Sequence, residues 1–106
     1  MFEYKLVRTK SIYDGDTFIA VVDLGFGVTK QEKFRMAFIN TPELGSQEGT
    51  DSRDWLRARM DTDKQVIIKT TKDRKGKYGR YLAEIFIDGV SINYEMIELG
   101  VAVKYE

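Results

Sequence analysis

The sequence predicts a mainly β domain with two helices, an α+β fold, on three observations. Five segments rich in β-branched and aromatic residues are separated by Gly- and Asp-containing turns. Two other stretches carry apolar residues at helical spacing behind a capping residue, and the only proline, Pro42, closes the third strand segment. With 106 residues there is room for one core, so a single domain over 1–106 is expected.

The first strand is expected over Tyr4 to Tyr13, where apolar and polar residues alternate imperfectly (Leu6, Arg8, Lys10, Ile12). Asp14-Gly15-Asp16 is turn chemistry, because Gly tolerates positive φ and Asp bonds nearby backbone amides. Thr17 to Leu24 reads as the second strand, Gly25-Phe26-Gly27 as a hairpin tip, and Lys33 to Ile39 as the body of the third. Pro42 stops it, since proline donates no ladder hydrogen bond. A polar loop then runs to about Thr50, and Thr50 or Asp51 is expected to cap a helix over 52–61 carrying Trp55, Leu56, Arg59 and Met60.

Gln65 to Thr70 and Arg80 to Ile87 are the fourth and fifth strands, separated by a charged loop and ended by an Asp88-Gly89 turn. Ser91 is expected to cap a second helix, Ile92 to Leu99, with Ile92, Met96 and Leu99 as its apolar stripe and Gly100 as its stop. A five-stranded barrel with a helix between strands 3 and 4 and a second helix after strand 5 is the OB-fold plan.

Composition narrows the chemistry. Lys plus Arg and Asp plus Glu stand at 17 each, so no net field draws in a polyanion; any nucleic-acid contact must come from a local cluster. Cysteine and histidine are absent, which excludes disulfides, thiolate chemistry, Cys/His zinc sites and Ser-His or Cys-His nucleophiles. Hydrolysis would have to use carboxylates, Arg, Lys or Tyr, with an oxygen-ligated metal as helper. The first residues lack the apolar core of a signal peptide and no run approaches a membrane span, so a cytoplasmic protein with no membrane partner is expected.

Three fragments supply what cutting a phosphodiester requires. Asp14-Gly15-Asp16-Thr17 offers a ligand for a hard cation. Arg35 and Glu43 bracket the stretch Arg35 to Glu43, a guanidinium and a carboxylate for water. Lys77-Tyr78-Gly79-Arg80 adds a second guanidinium for the developing negative charge.

With Ile12 to Thr17, Phe34 to Glu43, Lys77 to Phe86 and Asp88-Gly89 through Asn93 to Gly100 in this order, the chain resembles the staphylococcal nuclease (thermonuclease-like) family, and its Asp23 to Gly27 hairpin is closest in pattern to small phage and bacterial members. The resemblance implies an OB-fold, calcium dependence and phosphodiester hydrolysis of DNA or RNA. By the same resemblance, Asp16 matches a metal-ligating aspartate and Thr41 a ligand acting through its carbonyl. Glu43 matches the general base, Arg35 and Arg80 the phosphate-binding arginines, and Lys77 and Tyr78 nucleotide-phosphate contacts. Asn40 departs from the pattern, standing where the best-known members have a second metal-ligating aspartate. The final helix of those members also has no counterpart after Leu99, which leaves Tyr105 unassigned.

Each residue has a bland alternative. Asp14 and Asp16 could be ordinary turn residues, Asn40 a strand-end side chain bonding its own turn, Glu43 a solvated loop carboxylate and Arg80 a surface cation. Phe18, Phe34, Phe38 and Phe86 are expected in the strands and core, and Trp55 to pack its helix.

The function expected is therefore a nuclease using Ca2+, with Mg2+ or Mn2+ as alternatives, held by Asp16, Asn40 and Thr41. Its catalytic residues would be Arg35, Glu43 and Arg80, and its substrate single-stranded DNA or RNA cut at the 5′-oxygen side to leave 3′-phosphates. A monomer is expected, with a dimer as the alternative. The rival reading is a non-catalytic OB-fold module that binds nucleic acid or protein.

Overall fold

A computed structural model describes residues 2–72 and 81–105. Eight strands and two helices follow in the order β1 (Phe2–Asp14), β2 (Thr17–Gly25), β3 (Val28–Met36), β4 (Ile39–Asn40), α1 (Gln47–Met60), β5 (Val66–Lys72), β6 (Tyr81–Ile87), β7 (Val90–Ser91), α2 (Ile92–Glu98) and β8 (Val103–Lys104). The main sheet runs β3-β2-β1-β5-β6-β7, and a parallel pairing of β3 with β6 closes its five long strands into a barrel. No helix among the described residues is long and apolar enough to cross a membrane.

Side-chain alternation explains the strands. In β6, Ala83, Ile85 and Ile87 turn inward while Leu82, Glu84 and Phe86 lie between them, the period-two pattern of a half-buried strand. Phe18 and Phe34 face each other across β2 and β3 with ring centroids 5.3 Å apart, filling the barrel beside Met36 and Ile85. Leu56 and Met60 of α1 and Ile92 and Met96 of α2, each pair one helical turn apart, join the same buried core.

The structure moves three of the expected boundaries. First, α1 starts at Gln47, not near Ser52, and its N-cap is Ser46, whose hydroxyl accepts from the Gly49 amide at 3.0 Å. Second, the third strand does not run through Ile39. It stops at Met36, turns at Ala37-Phe38, and Ile39–Asn40 forms a separate short strand paired with Val103–Lys104. Phe38 takes a positive φ of 48° there, which local pattern does not announce for an aromatic residue. Third, α2 ends at Glu98, and Leu99 is its C-cap; Leu99 is exposed and so does not belong to the apolar stripe.

Gly100, at φ 76°, closes α2 as a left-handed stop. Its amide donates to Ile97 O (3.1 Å) and the Val101 amide to Met96 O (3.0 Å), the paired bonds of a Schellman ending. That turn sends the chain back into β8, beside β4.

Candidate functional site

The β1–β2 turn is built to approach α1 and β4 closely. A side chain at Gly15 would run into Ser52 Oγ and Thr41 Cγ2, so only glycine permits this contact. Asp14 Oδ1 accepts the Asp16 amide at 3.0 Å, the local bond that makes Asp-Gly-Asp a turn. The Asp16 carbonyl in turn accepts from the Met36 amide at 2.7 Å, fixing the turn against the end of β3. Burial, then the neighbouring Asp16 carboxyl, pushes the Asp14 carboxyl above its ordinary 3.8.

Asp16 and Arg35 meet at this junction. Both side chains are only 13% exposed, with Arg35 Nη2 3.8 Å from Asp16 Oδ2. Asp16 Oδ2 also accepts the Thr41 amide at 3.2 Å, and Oδ1 accepts the Thr17 hydroxyl at 3.2 Å. Arg35 spends its other donors on neutral oxygens: Nη1 bonds Met36 O (2.8 Å) and Ile39 O (3.1 Å), and Nη2 bonds Asn40 Oδ1 (2.9 Å). Arg35 is thus held partly by an acid and mostly by a turn of carbonyls wrapped around it.

Asp16, Arg35, Asn40 and Thr41 are therefore brought together. Glu43 is held differently. Its side chain is exposed, but its carbonyl accepts the Ser46 hydroxyl at 2.7 Å and lies where a side chain on Gly49 would have to be. The first turn of α1 thus anchors the Glu43 backbone. Lys77, Tyr78 and Arg80 lie outside the described residues.

Two residues that sequence reasoning left without a role support the site. Asn93 is fully buried; its Oδ1 accepts the Ile85 amide and its Nδ2 donates to Ala37 O and Ala83 O, all at 3.0 Å. It ties α2 and β6 to the turn that carries Arg35 toward Asn40. A buried asparagine at the start of an apolar helix is the signal that could have found it. Tyr105 donates its amide to Phe38 O at 2.8 Å, and its ring lies 5.3 Å from the Arg35 guanidinium. A small cleft of about 220 Å³ lies beside this junction, between Asn40–Pro42 and Gly100–Val103.

As a donor set, the Asp16 carboxylate, the Asn40 amide oxygen and the Thr41 carbonyl are all hard oxygens, which fits calcium or magnesium and not zinc. The set is poor in charge. Among the described residues, no three acidic side chains gather into a metal-holding cluster.

A family model described as "Staphylococcal nuclease homologue" matches residues 33–106, the greater part of the chain. The chain belongs to this family. Within the staphylococcal nuclease family, it is similar to a thermonuclease of Staphylococcus hyicus, with 29% identity over 93% of this chain and 57% of that protein. An uncharacterized endonuclease of Haemophilus influenzae is 30% identical over 98% of this chain and 54% of its own length. Endonuclease YncB of Bacillus subtilis is 30% identical over 84% and 43%. The chain spans about half the length of the curated relatives it matches. The family match begins just before Arg35 and takes in Asn40, Thr41 and Glu43.

Proposed function

We propose that this domain is a metal-dependent nuclease that hydrolyses phosphodiester bonds of DNA or RNA on the 5′-oxygen side, leaving 3′-phosphates. The observation that carries the reading is the meeting of Asp16, Arg35, Asn40 and Thr41 at one strand junction in a chain of the nuclease family. Proteins named thermonuclease and endonuclease among its relatives support it.

In this mechanism Asp16, Asn40 and the Thr41 carbonyl would hold a calcium ion. Bound there, calcium supplies positive charge that polarises the phosphate and lowers the pKa of nearby water. Arg35 leaves Asn40 Oδ1 and turns its planar fork onto the scissile phosphate, where two parallel donors match two phosphate oxygens. Glu43, anchored through its backbone at the start of α1, takes the proton from the attacking water as its oxygen bonds phosphorus and the bond from phosphorus to the 5′ oxygen breaks, the leaving 5′ oxygen gaining a proton from solvent. Arg80 gives the second fork, and Lys77 and Tyr78 hold the neighbouring phosphate. Tyr105 backs Arg35 with its ring face, favouring a cation at that position. Single strands suit the site, because the backbone must approach the junction closely.

Asn40 supports a second reading. One neutral ligand replaces a carboxylate, so the domain could bind nucleic acid without cutting it. Labelled single-stranded DNA and RNA, incubated with the protein in calcium, magnesium or chelator, separate the two. Metal-dependent cutting that is lost in Glu43→Gln supports the nuclease; tight binding with no cutting in any metal supports the module.

A further inference from the structure

A groove of about 660 Å³ lies between β1, the C-terminal half of α1 and the segment leading into β5. None of Asp16, Arg35, Asn40 and Thr41 lines it, so it is distinct from the junction described above. Its walls carry Arg8 and Lys10 from β1, Arg57 from α1, and Lys64; Asp61 is the one acid among its lining residues. In a chain whose charges balance at 17 against 17, four cations to one acid is a local asymmetry.

Not all of that charge is available. Lys64 Nζ is 2.7 Å from Asp88, and Arg57 Nη1 is 3.9 Å from Asp54. Arg8 and Lys10 are exposed and, among the described residues, take part in no ion pair. At the end nearest the candidate site, Arg57 Nη2 donates to Ile12 O at 2.9 Å. Ile12 lines the groove and lies two residues before Asp14, so the groove leads along β1 toward the junction. From Arg8 to Asp14 the strand covers about 20 Å at roughly 3.3 Å per residue.

We infer that this groove is a track for the sugar-phosphate backbone of a single nucleic-acid strand, with Arg8 and Lys10 as its main phosphate contacts and the cutting site at its end. The inference rests on the nuclease reading for its occupant. Contacts from Arg8 and Lys10 to phosphate read backbone and not sequence, so the track is indifferent to base identity. Its length makes it relevant only to oligonucleotides; a dinucleotide at the junction does not reach Lys10 and Arg8.

The test is binding of a fluorescent oligothymidylate of about 12 nucleotides in chelator, by anisotropy, at salt between about 50 and 200 mM. Wild type is compared with Arg8→Gln/Lys10→Gln, two exposed positions whose neutralisation a thermal melt checks for folding. The track predicts that the double variant lowers the magnitude of the salt slope by about 1.4, two contacts at roughly 0.7 each, and weakens low-salt binding by about tenfold or more. An unchanged slope, or no binding by wild type, overturns it. Cleavage of a dinucleotide with calcium is scored separately. Cutting with an unmoved slope removes the track and keeps the nuclease; a reduced slope with no cutting of any substrate keeps the track and removes the nuclease.

Discussion

Arg35 Nη2 rests 2.9 Å from Asn40 Oδ1, and the same nitrogen is 3.8 Å from Asp16 Oδ2. One guanidinium thus lies against two of the three oxygens assigned to the metal. Cation and guanidinium compete for Asn40, and the outcome depends on how negative that ligand is. Asn40→Asp adds a full charge to the set and should tighten calcium binding roughly tenfold, since ligand charge count tunes affinity. Calorimetric titration checks this; equal or weaker affinity would show that the new carboxylate is captured by Arg35.

Arg35→Lys keeps the charge but loses the fork, including the bonds to Met36 O and Ile39 O. Turnover should fall by about 3 kcal/mol of transition-state stabilisation, on the order of a hundredfold. Rates measured well below the variant's melting temperature separate this from loosening of the turn. Near-normal turnover would remove Arg35 from the chemistry.

Gly49→Ala reverses a familiar rule. In an exposed helix interior, alanine for glycine stabilises by about 1 kcal/mol. Here the added methyl runs into the Glu43 carbonyl, so the expectation is destabilisation by about 1–3 kcal/mol together with reduced turnover. Thermal melts and single-turnover cleavage are the readouts. A variant that melts higher and cuts normally would show that the α1 start does not hold Glu43.

Asn93→Leu is similar in volume and removes three hydrogen bonds, leaving the Ile85 amide buried without its acceptor. The loss should be about 2–3 kcal/mol, a fall in melting temperature of roughly 10–20 °C. A shift within a few degrees would mean that the surrounding backbone finds other partners.

The sequence is legible where chemistry is local. Asp14-Gly15-Asp16 reads as a turn from composition and is one, the Ser91 cap of α2 falls where its hydroxyl accepts a helix amide, and the Gly100 stop falls where a positive φ is needed. What is not legible depends on distant partners. The break of β3 at Ala37-Phe38 is stabilised by the Asn93 and Ala83 carbonyl network and by the Tyr105 amide, all more than forty residues away. Ser46 was hidden as a cap because the Gln, Glu and Gly that follow it resemble loop; Gly49 is there for the Glu43 carbonyl and not for flexibility. The closing pair of β3 and β6 is parallel and non-consecutive, which alternation within either strand does not encode. At the site, Asp16 and Arg35 were legible as residue types, whereas the shell of carbonyls around Arg35 was not.

The central claim is spatial: Asp16, Asn40 and Thr41 share one divalent ion while Arg35 turns to phosphate. Diffraction from crystals grown with calcium and a nucleoside 3′,5′-bisphosphate tests it most directly. The account predicts one calcium on Asp16, Asn40 Oδ1 and the Thr41 carbonyl, with Arg35 forked on the 5′-phosphate. Calcium bound elsewhere, or Arg35 still seated on Asn40 with the nucleotide bound at another face, would contradict it.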